Sequence, residues 1–341
     1  MRKIVKNTFV ILSSCISLVI NAQDYHFSQI DRNALLYNPA STGMFNGYEK
    51  FSISHRNQWL GAGTQFMTSL ASAELTLGKG VRNEKAHMGI GILLLNDVGG
   101  DSRFGNKTGG ISFSGIVPIN TQNQISAGLQ TAFTNRSADL SRVTFLSQWN
   151  GTILDPTIPS GEENGMTSFS YLDASAGFNY KFGQSQKKVI RENAFTFETG
   201  LSFFHLNQPK LRYNALTSDR LKIKSVFNTK ASYAFSVDAA LDLYVMYAQQ
   251  AQHREFVSGL FYKTRITEGS KITKNKQDSY VGFGSYYQSS GVLIPAITLD
   301  YGNFKFGVSY DMLLTKLRNG YGGSLEFSCS WQSNKWSIFQ K

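Results

Sequence analysis

Five histidines, His26, His55, His87, His205 and His253, are the side chains best suited to metal or proton chemistry. Their spacing supports neither. There is no H-E-x-x-H, no C-x-x-C and no i,i+4 histidine pair, so the pattern offers no metal site, and no cofactor is implied. Cys15 and Cys329 are too few for a disulfide framework. Gly89-Ile90-Gly91 is glycine-dense like a phosphate loop, but it sits inside an alternating run, where glycine relieves crowding on a strand face. No G-x-S-x-G elbow is present. An enzyme would have to be a barrel hydrolase whose serine and histidine meet only through strand pairing, and replacing one histidine would abolish its activity. The chain reads as a non-enzyme. Six charged residues remain to be explained: Asp173, Lys181, Glu198, Lys305, Asp311 and Glu326.

What these charges do depends on the elements that carry them. Arg2, Lys3 and Lys6 precede an apolar stretch from Phe9 to Ile20, then Asn21-Ala22. A basic region, a short apolar core and a small residue before a polar start read as a secretory signal peptide over 1–22. The run continues past "LSSC" at 12–15, which argues against a lipid anchor on Cys15. No later segment approaches the ~18 apolar residues of a spanning helix. Charged residues make up only 17% of the chain, below the roughly one quarter of a soluble protein. Glycine, phenylalanine and tyrosine are abundant and proline is scarce.

The hydropathy pattern has period two. Leu172, Ala174, Ala176, Phe178, Tyr180 and Phe182 alternate with Asp173, Ser175, Gly177, Asn179 and Lys181. The split recurs from Ile125 to Phe133, from Phe304 to Asp311 and from Ser324 to Trp331. Soluble strands average five or six residues, whereas tilted strands need ~9 to 11 to cross an outer membrane. The spacing predicts fourteen strands, near 50–59, 65–76, 86–96, 106–117, 123–134, 167–182, 194–206, 221–235, 241–249, 254–265, 279–288, 291–301, 303–313 and 321–332. Their bulky faces meet lipid and their small or polar faces meet a polar lumen. Lipid offers no hydrogen bonds, so the sheet must close. The fold class is therefore an all-β transmembrane antiparallel barrel. The even count puts the tight turns at 118–122, 236–240 and Gly302 on the periplasmic side. It also puts the basic stretches around Lys187-Lys188-Arg191 and Lys271-Lys274-Lys276 there. Trp59, Tyr180 and Trp331 near strand ends fit an interfacial girdle. The six charges then face the lumen, either as a polar conduit or, on the reading favoured here, as pairs across strands that fill the interior. The excess of basic residues is spread without aromatic clustering, which gives no case for nucleic acid.

"QDYHFSQIDRNALLYNPASTG", Gln23 to Gly43, has no strand alternation. Its one candidate helix runs from an Asp31 cap to Leu36 and is stopped by Asn38-Pro39. With "RNQW" at 56–59, "GIGILLLNDVGGD" at 89–101, "HLNQP" at 205–209, "VSYDMLLTKL" at 308–317 and "GGSLEFS" at 322–328, this segment carries a resemblance along nearly the whole mature chain. The sequence resembles the PorP/SprF family of outer-membrane proteins of the Bacteroidetes type IX secretion and gliding machinery. The resemblance implies a non-enzymatic role in exporting or anchoring large secreted surface proteins that carry a particular C-terminal domain. It also implies partners among the ring and periplasmic components of that apparatus, and transfers no catalytic residues. The expected organisation is a signal peptide at 1–22, a lead-in at 23–49 in the periplasmic mouth or the lumen, the barrel at 50–332 surrounded by outer-membrane lipid, and a tail at 333–341. The tail trails beyond the last strand, which leaves Phe339 without an assigned assembly role. Tyr25, His26, Phe27, Tyr37, Asn38 and Pro39 are candidate partner-binding residues unless they plug the lumen. The outward connections at 97–105, 135–166 and 207–220 are candidates for cargo contact. A small-solute porin or specific channel is the competing function.

Overall fold

Alternation of large apolar and small polar residues produces a single closed sheet in the structure, a computed structural model. It describes residues 26–59, 66–80, 85–139, 142–160, 168–183, 194–212, 219–269, 278–314 and 322–333. The expected signal peptide, Tyr25, the two basic stretches near 187–191 and 271–276, and the tail from 334 with Phe339 lie outside the described residues.

The strands are β1 (Glu49–Gln58), β2 (Phe66–Leu77), β3 (His87–Gly99), β4 (Phe104–Pro118), β5 (Asn123–Ser137), β6 (Phe169–Phe182), β7 (Ala194–Phe204), β8 (Lys210–Leu211), β9 (Asp219–Arg220), β10 (Lys224–Ala234), β11 (Ala239–Gln250), β12 (His253–Thr267), β13 (Ser279–Gln288), β14 (Val292–Tyr301), β15 (Phe304–Leu313) and β16 (Ser324–Gln332). All but β8 and β9 form an antiparallel barrel of fourteen strands, closed by β1 against β16 from Lys50 opposite Gln332 to Asn57 opposite Leu325. Closure gives every one of the fourteen strands a neighbour on both sides, as a sheet in hydrocarbon needs, although the β6–β7 ladder covers only part of β6. Each of the fourteen predicted strands has a counterpart within a few residues.

The outer surface carries the apolar half of the alternation. Leu129 is 66% exposed and Phe178 64% exposed, while their neighbours Gln130 and Asn179 are buried. Aromatic pairs gather where β1 begins, including Phe51 with Trp331 at 5.8 Å and Phe195 with Phe197 at 6.4 Å. That end is called the proximal rim here, and the opposite end the distal rim.

The inner surface departs from expectation. One side is polar, with Ser112, Ser126, Gln130, Ser175 and Asn179. The other, built by β10 to β14, buries Val226, Tyr244, Met246, Val257, Phe261, Tyr286 and Ile294. The lumen is therefore not uniformly polar, because the lead-in packs an apolar face against this side.

The connection predicted at 97–105 is also shorter than expected. Residues 97–99 and 104–105 are strand, leaving a tight turn at 100–103 closed by Arg103 N–H to the Gly100 carbonyl at 3.1 Å. β7 pairs only with the proximal half of β6, from Ala176 to Phe182. Beyond it the chain turns at His205, whose φ is 60°. Asn207 then hydrogen-bonds the open β6 backbone, donating to the Leu172 carbonyl at 2.7 Å and accepting from Ala174 N–H at 3.2 Å. The β8–β9 hairpin follows, with Leu211 and Leu221 covering Phe169.

Candidate functional site

The lead-in fills the lumen. His26 Nδ1 lies 2.6 Å from Glu255, near the distal start of β12, and its carbonyl accepts from Arg56 Nη1 at 2.8 Å. The chain then descends to Tyr48, just before β1 begins at the proximal rim. It passes through helix α1 (Ala34–Tyr37) and a 3-10 turn at Pro39–Ser41.

This path follows from local chemistry. Asp31 does not cap a helix, because its carboxylate accepts the Tyr286 hydroxyl and pairs with Arg32 at 3.3 Å. The helix starts later, after Asn33, with no side-chain cap. Asn38-Pro39 stops it as expected. The Asn38 side chain accepts from Ala40 N–H at 2.9 Å and donates to the Phe178 carbonyl at 3.1 Å. Pro39 sits at the first turn position, where its missing N–H leaves no donor unsatisfied.

Lumenal carboxylates hold the plug. Glu326, 0% exposed, accepts Ser28 N–H at 2.6 Å and Gln29 N–H at 3.0 Å. Asp311 accepts the Ser28 hydroxyl at 2.8 Å and pairs with Arg56 at 2.6 Å. Glu74 accepts Gly43 N–H at 3.0 Å and pairs with Lys50 at 3.0 Å. Serines supply the rest: Ser202 to the Tyr37 carbonyl at 2.6 Å, Ser126 to Ala40 at 2.6 Å and Ser114 to Thr42 at 2.5 Å. The buried carbonyls of an irregular segment thus find partners in the wall. Phe27, Ile30 and Leu36 join the buried apolar cluster of the lumen, and Leu35 comes up against Gly91 of β3.

Glycine makes the fit possible. A Cβ at Gly128 would stand 2.6 Å from Ala40 N, and one at Gly89 2.8 Å from the Thr42 carbonyl carbon, so the plug backbone reaches the wall only because the wall has no side chain there. Burial opposes the charge on Arg32, yet Asp31 and Asp300 outweigh it and push its pKa upward. Burial raises the Tyr37 hydroxyl, which stays a neutral donor to the Phe27 carbonyl at 3.0 Å.

Of the candidate partner-binding residues, Phe27, Tyr37, Asn38 and Pro39 are buried inside the barrel, His26 is partly buried, and Tyr25 is outside the described residues. Of the six lumenal charges, Lys181 and Glu198 stand opposite in register, Lys305 stands opposite Asp300, Asp173 pairs with His205 at 2.9 Å, and Asp311 and Glu326 turn to the plug. Sequence reasoning missed the apolar inner wall. The signal was present in β11, where Leu243, Val245 and Tyr247 alternate with Tyr244, Met246 and Ala248, so that both faces are apolar. Among the described residues no three histidine, cysteine, aspartate or glutamate side chains gather as a metal site would require.

A closed fourteen-stranded sheet, apolar outside and filled by its own N-terminal segment, defines an outer-membrane β-barrel with an internal plug. The sequence pattern of the type IX secretion system membrane protein family PorP/SprF matches residues 19–331, and the chain belongs to that family. Membership places it in an outer membrane and associates it with type IX secretion components. No curated protein matches the chain. Among solved structures, the toluene transporter TbuX of Ralstonia pickettii aligns with a TM-score of 0.48 and 11% identity, over 89% of this chain and 94% of that one. The CymD monoaromatic hydrocarbon channel aligns at 0.46 and 10%, over 89% and 94%. The Pseudomonas putida toluene transporter TodX aligns at 0.45 and 9%, over 91% and 95%. Likeness at this level says nothing of what this barrel handles.

Proposed function

We propose that this protein serves type IX secretion as a closed docking barrel, supporting export or surface anchoring of large secreted proteins through their C-terminal domains and catalysing no reaction. The plug is the observation that carries this reading. Two buried N–H groups of the lead-in end on Glu326, and the 38–42 backbone rests against glycines of the wall, which leaves little room for solute to pass. That favours docking over the porin reading. Loops on a rigid scaffold carry recognition, so cargo meets the distal connections at 138–168 and 205–223, taking the proximal rim as periplasmic. A direct partner contact by Phe27, Tyr37, Asn38 or Pro39, all buried, requires the plug to shift.

Affinity capture of the tagged barrel from detergent-solubilised outer membranes tests the proposal. A secreted protein with a conserved type of C-terminal domain is expected to co-purify, and to disappear from the surface and medium of cells lacking the barrel. Unchanged export in such cells would overturn the reading.

A further inference from the structure

Beyond the plug contacts, the lumen retains a charged chamber near the proximal rim. It has a volume of about 210 Å³ and is lined by Arg32, Lys50, Lys181, Lys230, Lys263 and Lys305, against the acids Asp31, Glu198 and Asp300. Half of these cations already have carboxylate partners. Arg32 pairs with Asp31 at 3.3 Å and Asp300 at 3.4 Å, Lys50 with Glu74 at 3.0 Å, and Lys263 with Asp242 at 2.7 Å.

The other three do not. Among the described residues, Lys181, Lys230 and Lys305 have no carboxylate oxygen within 4.0 Å. Glu198 lies opposite both Lys181 and Lys230 in register, yet its Oε1 accepts from Asn179 at 2.8 Å. Lys230 instead sits 5.4 Å from the Tyr244 ring centre, and Lys181 donates to the Met44 carbonyl at 3.5 Å. Both Lys230 and Lys305 remain accessible inside the lumen. Lys50, Lys181 and Lys305 each stand one residue from the proximal end of their strand, so the chamber lies at that mouth.

Like charges confined between low-dielectric walls repel one another, and an anion placed among them is held far more strongly than in water. We infer that this chamber is a binding site for an oxyanion, a phosphate or a carboxylate, approached from the proximal side. The space holds a cluster of waters or one such group with its stem, and excludes a folded domain. The anion has two sources, a free small molecule or an acidic side chain or terminus of a polypeptide reaching into the mouth.

Binding of pyrophosphate and of fluorescein-labelled hexaglutamate to the full mature barrel in detergent tests the inference. At least one probe is expected to bind saturably and more weakly with added salt. Affinity is expected to fall by about tenfold or more in K230Q/K305Q, and to hold in K107Q, whose lysine points outward. Pyrophosphate alone binding identifies a free anion as the source; the peptide binding identifies an acidic chain segment. In the unaltered protein, the bound probe is also expected to protect Lys230 and Lys305 from an amine-acetylating reagent, a readout independent of whether the double variant assembles. No saturable binding of either probe, or no protection of these lysines, overturns the assignment.

Discussion

Arg56 and Asp311 form the clearest residue-scale test of how the lumen is built. Both side chains are almost wholly buried, 2.6 Å apart, and each also holds the plug, Arg56 through the His26 carbonyl and Asp311 through Ser28. Removing one partner leaves an uncompensated buried charge, which costs about 3–5 kcal/mol. Arg56→Met is therefore expected to lower stability in urea unfolding by about that much, and Arg56→Met with Asp311→Asn by clearly less than the single change. Gly128 provides a steric counterpart. Gly128→Val is expected to expel the 38–42 segment, read as new protease cleavage there, whereas Gly115→Val, on an open outward position, is expected to leave the plug intact. Little of this was legible beforehand. Alternation put Asp311 and Glu326 in the lumen, but nothing local in the sequence says that Glu326 meets Ser28, 298 positions away. Asp31 shows the same limit: it looks like a helix cap, and a tyrosine from β13 claims its carboxylate.

At the scale of elements, hydropathy of period two was sufficient for the barrel, because lipid forces closure and the ~10-residue crossing fixes strand length. Leu129, on the lipid face of β5, tests this directly. Leu129→Arg is expected to destabilise folding into phosphatidylcholine vesicles by about 2–4 kcal/mol if the position lies near the midplane, while a charge at the rim costs little. Elements governed by tertiary context were less legible. The 97–105 stretch looked like a loop because Asn96, Asp97 and two glycines interrupt the apolar rhythm, yet the strands continue to a four-residue turn. The short β6–β7 pairing depends on Asn207 standing in for a strand, which no pattern of hydropathy encodes. β11 appears two-sided in the sequence because one face meets lipid and the other belongs to the same buried apolar cluster as Phe27, Ile30 and Leu36.

For the molecule as a whole, the plug separates a docking barrel from a pore. The barrel wall binds its own N-terminal segment through buried carboxylates, serine hydroxyls and an apolar patch, and family membership connects that closed barrel to type IX secretion. The most direct measurement is single-channel current after insertion of the purified barrel into planar bilayers. The intact protein is expected to stay at the baseline, and a variant lacking residues 26–46 to show large steps, which also proves that insertion occurred. A large, steady current through the intact protein would contradict the account.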